Sequence, residues 1–140
     1  MHRMSSLFGR TLREDPSAAS IASHRLKLRG GFMRPLGAGI YSYLPLGWRT
    51  LRRIEQIVRE EMDAIGSQEL LMPVVHPSTL WERTDRFTKV GPEMARFKDR
   101  GDRDMVLAFT HEEIATALAA RVHSSYRQLT VSVSTYQTKI

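Results

Sequence analysis

One amphipathic stripe constrains the fold of this chain more than any other feature of the sequence. Between Gly47 and Ile65, apolar residues recur at steps of three and four, the spacing of one face of an α-helix. The stripe consists of Trp48, Leu51, Ile54, Val58, Met62 and Ile65. The opposite face is charged and includes Arg49, Arg52, Arg53 and Glu55. We therefore predict a helix over 47–65 that is closed by Gly66, since glycine commonly ends a helix.

An apolar segment interrupted by a proline follows this helix. Residues 70–75 have the composition of a buried strand, but Pro73 lies in the middle of them. Because proline has no N–H to donate to a strand ladder, the strand must lie at a sheet edge, bulge, or end there. Two subunits could share a long helix followed by such a strand, or the proline could serve local structure alone.

The four residues Thr110-His111-Glu112-Glu113 stand between an apolar run and a predicted helix over 110–122. One interpretation is a capping box, in which Thr110 and Glu113 bond each other's backbone N–H groups. The other is a binding corner, in which the hydroxyl of Thr110 and the carboxylate of Glu112 hold a small cationic ligand. The two are compatible, because the cap leaves Glu112 to face elsewhere.

Composition narrows the class of protein. With 140 residues, 41% of them hydrophobic, the chain suits one globular domain over 1–140. It has no cysteine, which excludes disulfides and thiolate metal sites and favours an intracellular protein. The net charge of +6 favours an anionic partner such as nucleic acid or a nucleotide, although basic surfaces are often only solvated faces.

Several kinds of site and segment are not predicted. No run approaches the length of a membrane span, and Met1 to Thr11 lacks the apolar core of a secretory signal, so we expect a cytoplasmic protein with no membrane partner. No glycine-rich phosphate loop occurs. His111-Glu112 begins like a zinc-binding helix, but Ala115 stands where the second histidine belongs, so we predict no metal site.

The remaining patterns predict an α+β fold. Alternation over 40–43 indicates a strand, and two runs flanking Gly101-Asp102, at 97–100 and 105–109, indicate a hairpin. Ser78 and Trp81 mark a short helix, and alternation over 129–136 predicts a last strand. We expect an antiparallel sheet that is begun but not completed, with helices on one face.

The order of these sequence motifs along the chain resembles that of a known protein family. It runs from the Gly-Ile-Tyr-Ser-Tyr-Leu-Pro-Leu-Gly word at 39–47 through a basic helix, the Leu-Met-Pro-Val word at 71–74 and an Arg-Phe-Lys-Asp-Arg hairpin to Thr-His-Glu-Glu. This order resembles the N-terminal part of the catalytic domain of bacterial class II prolyl-tRNA synthetases, over nearly the whole chain. The resemblance implies a partial class II aminoacyl-tRNA synthetase catalytic core.

The resemblance also implies roles for named residues. The helix 47–65 and the strand 68–75 correspond to motif 1, at about 47–75, a homodimer element with Pro73 as its proline. Thr110 and Glu112, in the loop 110–112, correspond to the pair that holds the imino group of proline. The family joins proline and ATP, with Mg²⁺, into prolyl-adenylate and transfers the prolyl group to tRNA(Pro).

This sequence departs from the family pattern at several positions. Phe109 stands where proline is usual, Asp85 where glycine is usual, and the segment 134–136 differs from the expected last strand. The chain ends at Ile140, where motif 2 would begin. We therefore expect no catalytic residue within it, and no productive binding of ATP or tRNA by these residues alone. The alternative is a non-catalytic synthetase-like module for dimerisation or RNA binding.

Overall fold

The computed structural model describes residues 3–16, 19–108, 110–128 and 131–137. Its helices are α1 (Ala22–Arg29), α2 (Pro45–Ala64), α3 (Ser78–Glu82), α4 (Arg86–Lys89) and α5 (Glu112–Val122), with 3-10 turns at Met4–Ser6 and Tyr126–Gln128. Its strands are β1 (Met33–Gly37), β2 (Ile40–Tyr43), β3 (Gln68–Glu69), β4 (Val75–Pro77), β5 (Arg96–Lys98), β6 (Asp104–Leu107) and β7 (Val133–Ser134). This mixture of helices and short strands confirms the predicted α+β class.

The chain divides into two compact units, Met1–Glu61 and Met62–Ile140. The first contains a small cluster of buried side chains from Ala19, Leu28 and Met33. The second has its own cluster, described below. The assignment of residues 1–140 to one domain stays a prediction.

The first unit is built on an antiparallel hairpin. β1 and β2 pair from Met33 opposite Tyr43 to Gly37 opposite Ile40, with an irregularity between Pro35 and Gly37. The Leu44 N–H then donates to the Phe32 carbonyl at 2.9 Å, which ties the end of the hairpin to the start of α2. The strand predicted over 40–43 is confirmed.

Helix α2 has the predicted position, shifted by two residues at its start. It begins at Pro45 because proline at the first helical position has a suitable φ and no N–H to satisfy. It ends before Gly66, whose φ of 78° is the left-handed conformation that glycine adopts without strain. The Ser67 N–H donates to the Met62 carbonyl at 3.0 Å and closes the helix. Across the ranges given above, no helix is both long and apolar enough to cross a membrane.

The second unit contains a three-stranded antiparallel sheet in the order β4-β6-β5. The predicted hairpin is confirmed as β5 and β6, with Asp102 at a φ of 59° in the turn. Asp99 organises this turn, since its carboxylate accepts bonds from the Gly101 and Arg103 N–H groups and from the Arg103 guanidinium. The Arg103 hydrogen bond holds the pKa of Asp99 below its usual value.

The segment around Pro73 departs from the predicted continuous strand 68–75. The structure divides it into β3 and β4, and β3 pairs in parallel with β7, not antiparallel as expected. At the interruption, the Gln137 side-chain amide takes the place of a strand: its oxygen accepts the Met72 N–H at 2.9 Å, and its nitrogen donates to the Met72 carbonyl at 2.8 Å. The predicted last strand is reduced to β7, and residues 129 and 130 lie outside the described ranges.

The core of the second unit lies under Trp81, which is fully buried among Met94, Val106 and Ala108. His76 is equally buried and takes part in this core as a neutral ring. Its Nδ1 accepts the Trp81 indole N–H at 3.3 Å, so its Nε2 carries the proton and donates to the Pro73 carbonyl at 2.8 Å. Burial lowers the pKa of His76 below the ordinary 6.5, and the bond to the Pro73 carbonyl opposes that effect.

We predict that replacing Gly47 by alanine destabilises the first unit. An added Cβ would lie 2.1 Å from the carbonyl oxygen of Phe32, a backbone atom that cannot turn aside. Overpacking of this kind costs about 1–3 kcal/mol, whereas Gly→Ala inside a helix normally adds stability. The measurement is a thermal melt with hydrogen exchange. The control is Gly37→Ala, whose nearest neighbour at 3.8 Å is an ordinary contact; equal melting of the two variants would contradict the prediction.

The buried His76 predicts a loss of stability in mild acid. Because its pKa is lower in the folded than in the unfolded chain, the unfolded chain takes up the proton more readily as the pH falls below 6.5. The contribution of the neutral His76 ring to the free energy of unfolding is complete above that pH. It is lost progressively as the pH falls from there to the pKa of His76 in the folded chain. Denaturant melts between about pH 7.5 and about pH 5.5 should therefore show falling stability in the parent and a flatter profile in His76→Asn. His123→Asn is the control and should retain the parent's pH dependence.

Candidate active-site corner

The predicted binding corner lies where the central strand β6 gives way to α5. Ala108 is fully buried after β6, and its N–H donates to the Val74 carbonyl at 2.8 Å. Phe109 lies outside the described residues. Thr110 follows half-buried, and α5 begins at Glu112. The corner is thus attached to the central strand of the sheet on one side and to a helix on the other.

The capping box predicted for Thr110 and Glu113 is wrong. The residue that precedes α5 is His111, and its side chain makes no capping hydrogen bond within the described part of the chain. Thr110 lies one position too early to cap this helix, and the Glu113 carboxylate binds Arg86 instead. A buried carboxylate beside a guanidinium gains more from that charged contact than from a neutral backbone N–H.

Arg86 brings the acidic and hydroxyl groups of the corner together. Its Nη1 donates to Glu113 Oε1 at 2.5 Å and lies 4.0 Å from Glu112 Oε2. Its Nη2 donates to Thr110 Oγ1 at 3.2 Å. The guanidinium carbon lies 5.0 Å from the centre of the Trp81 ring, a distance at which the ring attracts a cation. One side chain therefore contacts both halves of the predicted site and the core beneath it.

Asp85 explains how Arg86 reaches this position. It precedes α4 with a φ of 58°, the left-handed conformation in which glycine is unstrained and aspartate is tolerated. The sharp change of direction there starts the short helix at Arg86. This conformation gives a physical reason for the glycine that the resemblance leads us to expect here, and Asp85 keeps the same backbone conformation.

The two neighbouring glutamates have opposite environments. The Glu113 side chain is 3% exposed, and its Oε2 is buried with no hydrogen-bond partner among the described residues. The Glu112 side chain is 70% exposed. Successive residues of a helix point about 100° apart, so the start of α5 directs one carboxylate into the protein and the other outward. Glu112 is therefore the more accessible of the two carboxylates to an external ligand.

A cavity of about 360 Å³ lies beside the first turns of α5. Glu112 and Glu113 line it together with Arg83 and Arg121, so it presents both signs of charge. Thr110 does not line this cavity. The joint action of Thr110 and Glu112 on one ligand stays a prediction.

His111 anchors the corner from the opposite side to Arg86. It is buried, and its Nε2 lies 2.5 Å from the donating Nε2 of Gln137, so its proton is on Nδ1, which is buried without a partner in the described structure. Its ring lies 5.3 Å from that of His76, edge to face. No group of three or more histidine, cysteine, aspartate or glutamate side chains within the described ranges is arranged to hold a metal ion.

Sequence reasoning missed Arg86 and Gln137. Neither lies near Thr110 in the chain, and no spacing rule connects them. Only the structure shows that Glu113 is buried, and that burial is what requires a cation such as Arg86 or several donors. The residue proposed for dimerisation, Pro73, is exposed, and its carbonyl accepts from His76.

Comparison with known proteins identifies close relatives by sequence. No family model matches the chain. The proline–tRNA ligase of Acidithiobacillus ferrooxidans is 52% identical over 137 residues, which are 98% of this chain and 24% of that protein. The proline–tRNA ligase of Thermosipho africanus is 53% identical over the same length and share. The chain thus spans about a quarter of the length of the curated relatives it matches.

Solved structures agree at the level of the fold. A Giardia lamblia prolyl-tRNA synthetase in complex with prolyl-adenylate aligns with 77% of this chain and 23% of its own, at a TM-score of 0.67 and 19% identity. An RNA-binding domain of threonyl-tRNA synthetase from Cryptosporidium parvum aligns with 73% of this chain and 25% of its own, at a TM-score of 0.66. The chain is therefore homologous to a part of the proline–tRNA ligases and has the fold of aminoacyl-tRNA synthetase domains.

Proposed function

We propose that this chain supplies the proline-recognition corner and the dimer element of a proline–tRNA ligase. In that reaction ATP activates proline to prolyl-adenylate, and the prolyl group passes to tRNA(Pro) in the cytoplasm. The support is the 52% identity to such ligases over 98% of the chain, together with the chemistry of the corner. The roles of Thr110 and Glu112 in holding proline, and of motif 1 at 47–75 in dimerisation, are parts of this proposal.

One observation carries the proposal: the corner already holds a cation through its N–H groups. The Arg86 guanidinium donates to the Thr110 hydroxyl and the Glu113 carboxylate and lies near that of Glu112. The secondary ammonium of proline offers the same kind of donor, a positively charged N–H group. Thr110 Oγ1 keeps a second lone pair after accepting from Arg86, so it can accept from proline as well.

The charge at the corner also suits proline. Glu112 lies 4.0 Å from the Arg86 guanidinium and its side chain is 70% exposed, so an external cation can reach this carboxylate. The adjoining cavity carries Arg83 and Arg121 as well, so it is matched to a ligand with both signs of charge. An amino acid is such a zwitterion, and the cavity volume lies in the range typical of small-molecule sites.

The distribution of charge favours tRNA as the larger partner. Residues 1–61 include eleven basic and five acidic side chains, whereas residues 62–140 include ten of each. The whole net charge of +6 therefore belongs to the first unit. A basic surface of this kind attracts a phosphate backbone through electrostatics that do not depend on sequence.

ATP and Mg²⁺ complete the proposed reaction, but the described residues do not explain how Mg²⁺ is held. The acidic and histidine side chains of those ranges form no group of three that fits a metal ion. The proposed role of this chain is therefore confined to proline recognition and to dimerisation.

We predict that the chain binds proline and that Glu112→Gln and Thr110→Val weaken this binding. A hydrogen bond to a charged group is worth about 1.5–3 kcal/mol, so each change should lower the affinity by roughly 10- to 100-fold. The measurement is a proline titration followed by NMR. Tetrahydrofuran-2-carboxylate, which has an oxygen in place of the ring N–H, should not compete.

Glu93→Gln is the matched control for this experiment, because it removes an exposed carboxylate from a loop away from the corner. It should bind proline as the parent does. Equal binding by Glu112→Gln and the parent would reject the proposed role of Glu112, and competition by the tetrahydrofuran acid would reject recognition of the ring nitrogen.

The apolar stripe of α2 supports the proposed dimer. Three residues of the stripe, Trp48, Ile54 and Val58, and the apolar residue Ile57 beside them are 40–53% exposed. A contiguous exposed apolar surface of this kind marks a protein–protein contact. Two copies of α2 facing each other would remove these side chains from water.

We predict that the chain self-associates and that Ile54→Glu reduces the association. A charge at the centre of an apolar contact must be desolvated, whereas in the monomer it stays in water. Sedimentation velocity over a range of concentrations measures the effect. Gln56→Glu adds the same charge on the polar face of α2 and should leave association unchanged; if both variants or neither dissociate, the stripe is not the interface.

A further inference from the structure

We propose that Arg86 is the positioning residue of the corner, which sets the Thr110 hydroxyl in place for proline and holds the Glu113 carboxylate in one buried position. The inference rests on the proposed function, because it assigns a reason to the geometry of the proline-binding pair. Arg86 lies outside the loop 110–112, and its contacts connect that loop with the core of the second unit.

The bonding pattern requires a guanidinium. Nη1 and Nη2 serve different partners, Glu113 Oε1 at 2.5 Å and Thr110 Oγ1 at 3.2 Å. The planar group holds its two nitrogens at a fixed separation, so fixing one partner fixes the direction to the other. A lysine ammonium at this position could neutralise Glu113 but would not reproduce both directed bonds.

Arg86 is itself held in place by rigid neighbours. The Trp81 ring against which its guanidinium lies is fully buried and bonded to His76. Asp85, in its left-handed conformation, fixes where the side chain leaves the backbone. The position of the Thr110 hydroxyl is therefore set by the core through Arg86, and the loop backbone does not have to determine it alone.

The contact between Arg86 and Glu113 also gives the two neighbouring glutamates different roles. By binding Glu113, Arg86 compensates the burial of a carboxylate whose side chain is 3% exposed. Glu112 remains 70% exposed at the mouth of the cavity. Without Arg86, the Glu113 carboxylate would turn toward water. Two carboxylates, those of Glu112 and Glu113, would then face outward in place of one.

The test compares Arg86→Lys with Arg100→Lys, two changes that keep the charge and remove one guanidinium each. Arg100 is exposed in the β5–β6 hairpin. We expect Arg86→Lys to weaken proline binding by about tenfold at a temperature where both variants are folded, and to let the Thr110 side chain average between rotamers in methyl NMR. Arg100→Lys should match the parent in both measurements. Parent-like affinity in Arg86→Lys would overturn the inference and leave the proposed function intact.

Two further measurements keep the outcome decisive. If the parent itself does not bind proline, the proposed function fails, and the rotamer averaging of Thr110 alone decides the inference: a fixed Thr110 in Arg86→Lys overturns it. If Arg86→Lys does not fold, side-chain NMR of the parent decides. The Arg86 guanidinium protons should exchange slowly and its rotation should be hindered, unlike those of Arg100; fast exchange would overturn the inference.

Discussion

The burial of the Glu113 carboxylate is the interaction on which this corner depends. A carboxylate that is 3% exposed costs several kcal/mol to desolvate unless a cation and hydrogen bonds compensate it. Arg86 supplies that compensation at 2.5 Å, and its second nitrogen then reaches Thr110. A requirement of the core thus determines the placement of a side chain that faces the candidate site. Removing Arg86 would leave the Glu113 carboxylate buried without this cation, so this pair is fixed more firmly than an exposed ion pair such as Lys89–Asp85.

The backbone hydrogen bonds around Pro73 explain why the predicted strand 68–75 is divided. Pro73 has no N–H, and it lies between two separate ladders: β3 pairs with β7 before it, and β4 pairs with β6 after it. Met72 is buried, and the Gln137 amide bonds both its backbone N–H and its carbonyl, so neither group is left unpaired. The same amide donates to His111, so the break in the strand and the start of α5 share one side chain. The proline therefore costs little in lost hydrogen bonds.

The sequence correctly predicted the elements that depend on local periodicity. It did not predict the contacts that depend on a residue far away in the chain. Helix α2, the short helix α3 and the β5–β6 hairpin followed from apolar spacing and turn residues, which act within a few positions. The prediction of a capping box was wrong because rules that use only neighbouring residues do not include Arg86. This residue lies in a different helix and binds the Glu113 carboxylate. The parallel pairing of β3 with β7 was missed for the same reason, since it joins segments far apart in the chain. The family resemblance supplied what physics alone left open, namely the preference for a binding corner and the meaning of Asp85.

The environments of the four residues Thr110 to Glu113 form a pattern that neither a helix cap nor a surface loop requires. His111 and Glu113 are buried and held by Gln137 and Arg86, and these two contacts fix the backbone from opposite sides. Thr110 is half-buried with a hydroxyl already directed by Arg86, and Glu112 is exposed at the cavity. Two residues of the four hold the loop, and the ligand contacts proposed above fall on the other two, whose side chains would need little further ordering. A cap needs only its own two side chains, and a solvated loop needs no buried anchors. Burying the polar side chains of His111 and Glu113 costs free energy. That cost is explained if the loop must keep one fixed geometry for ligand binding.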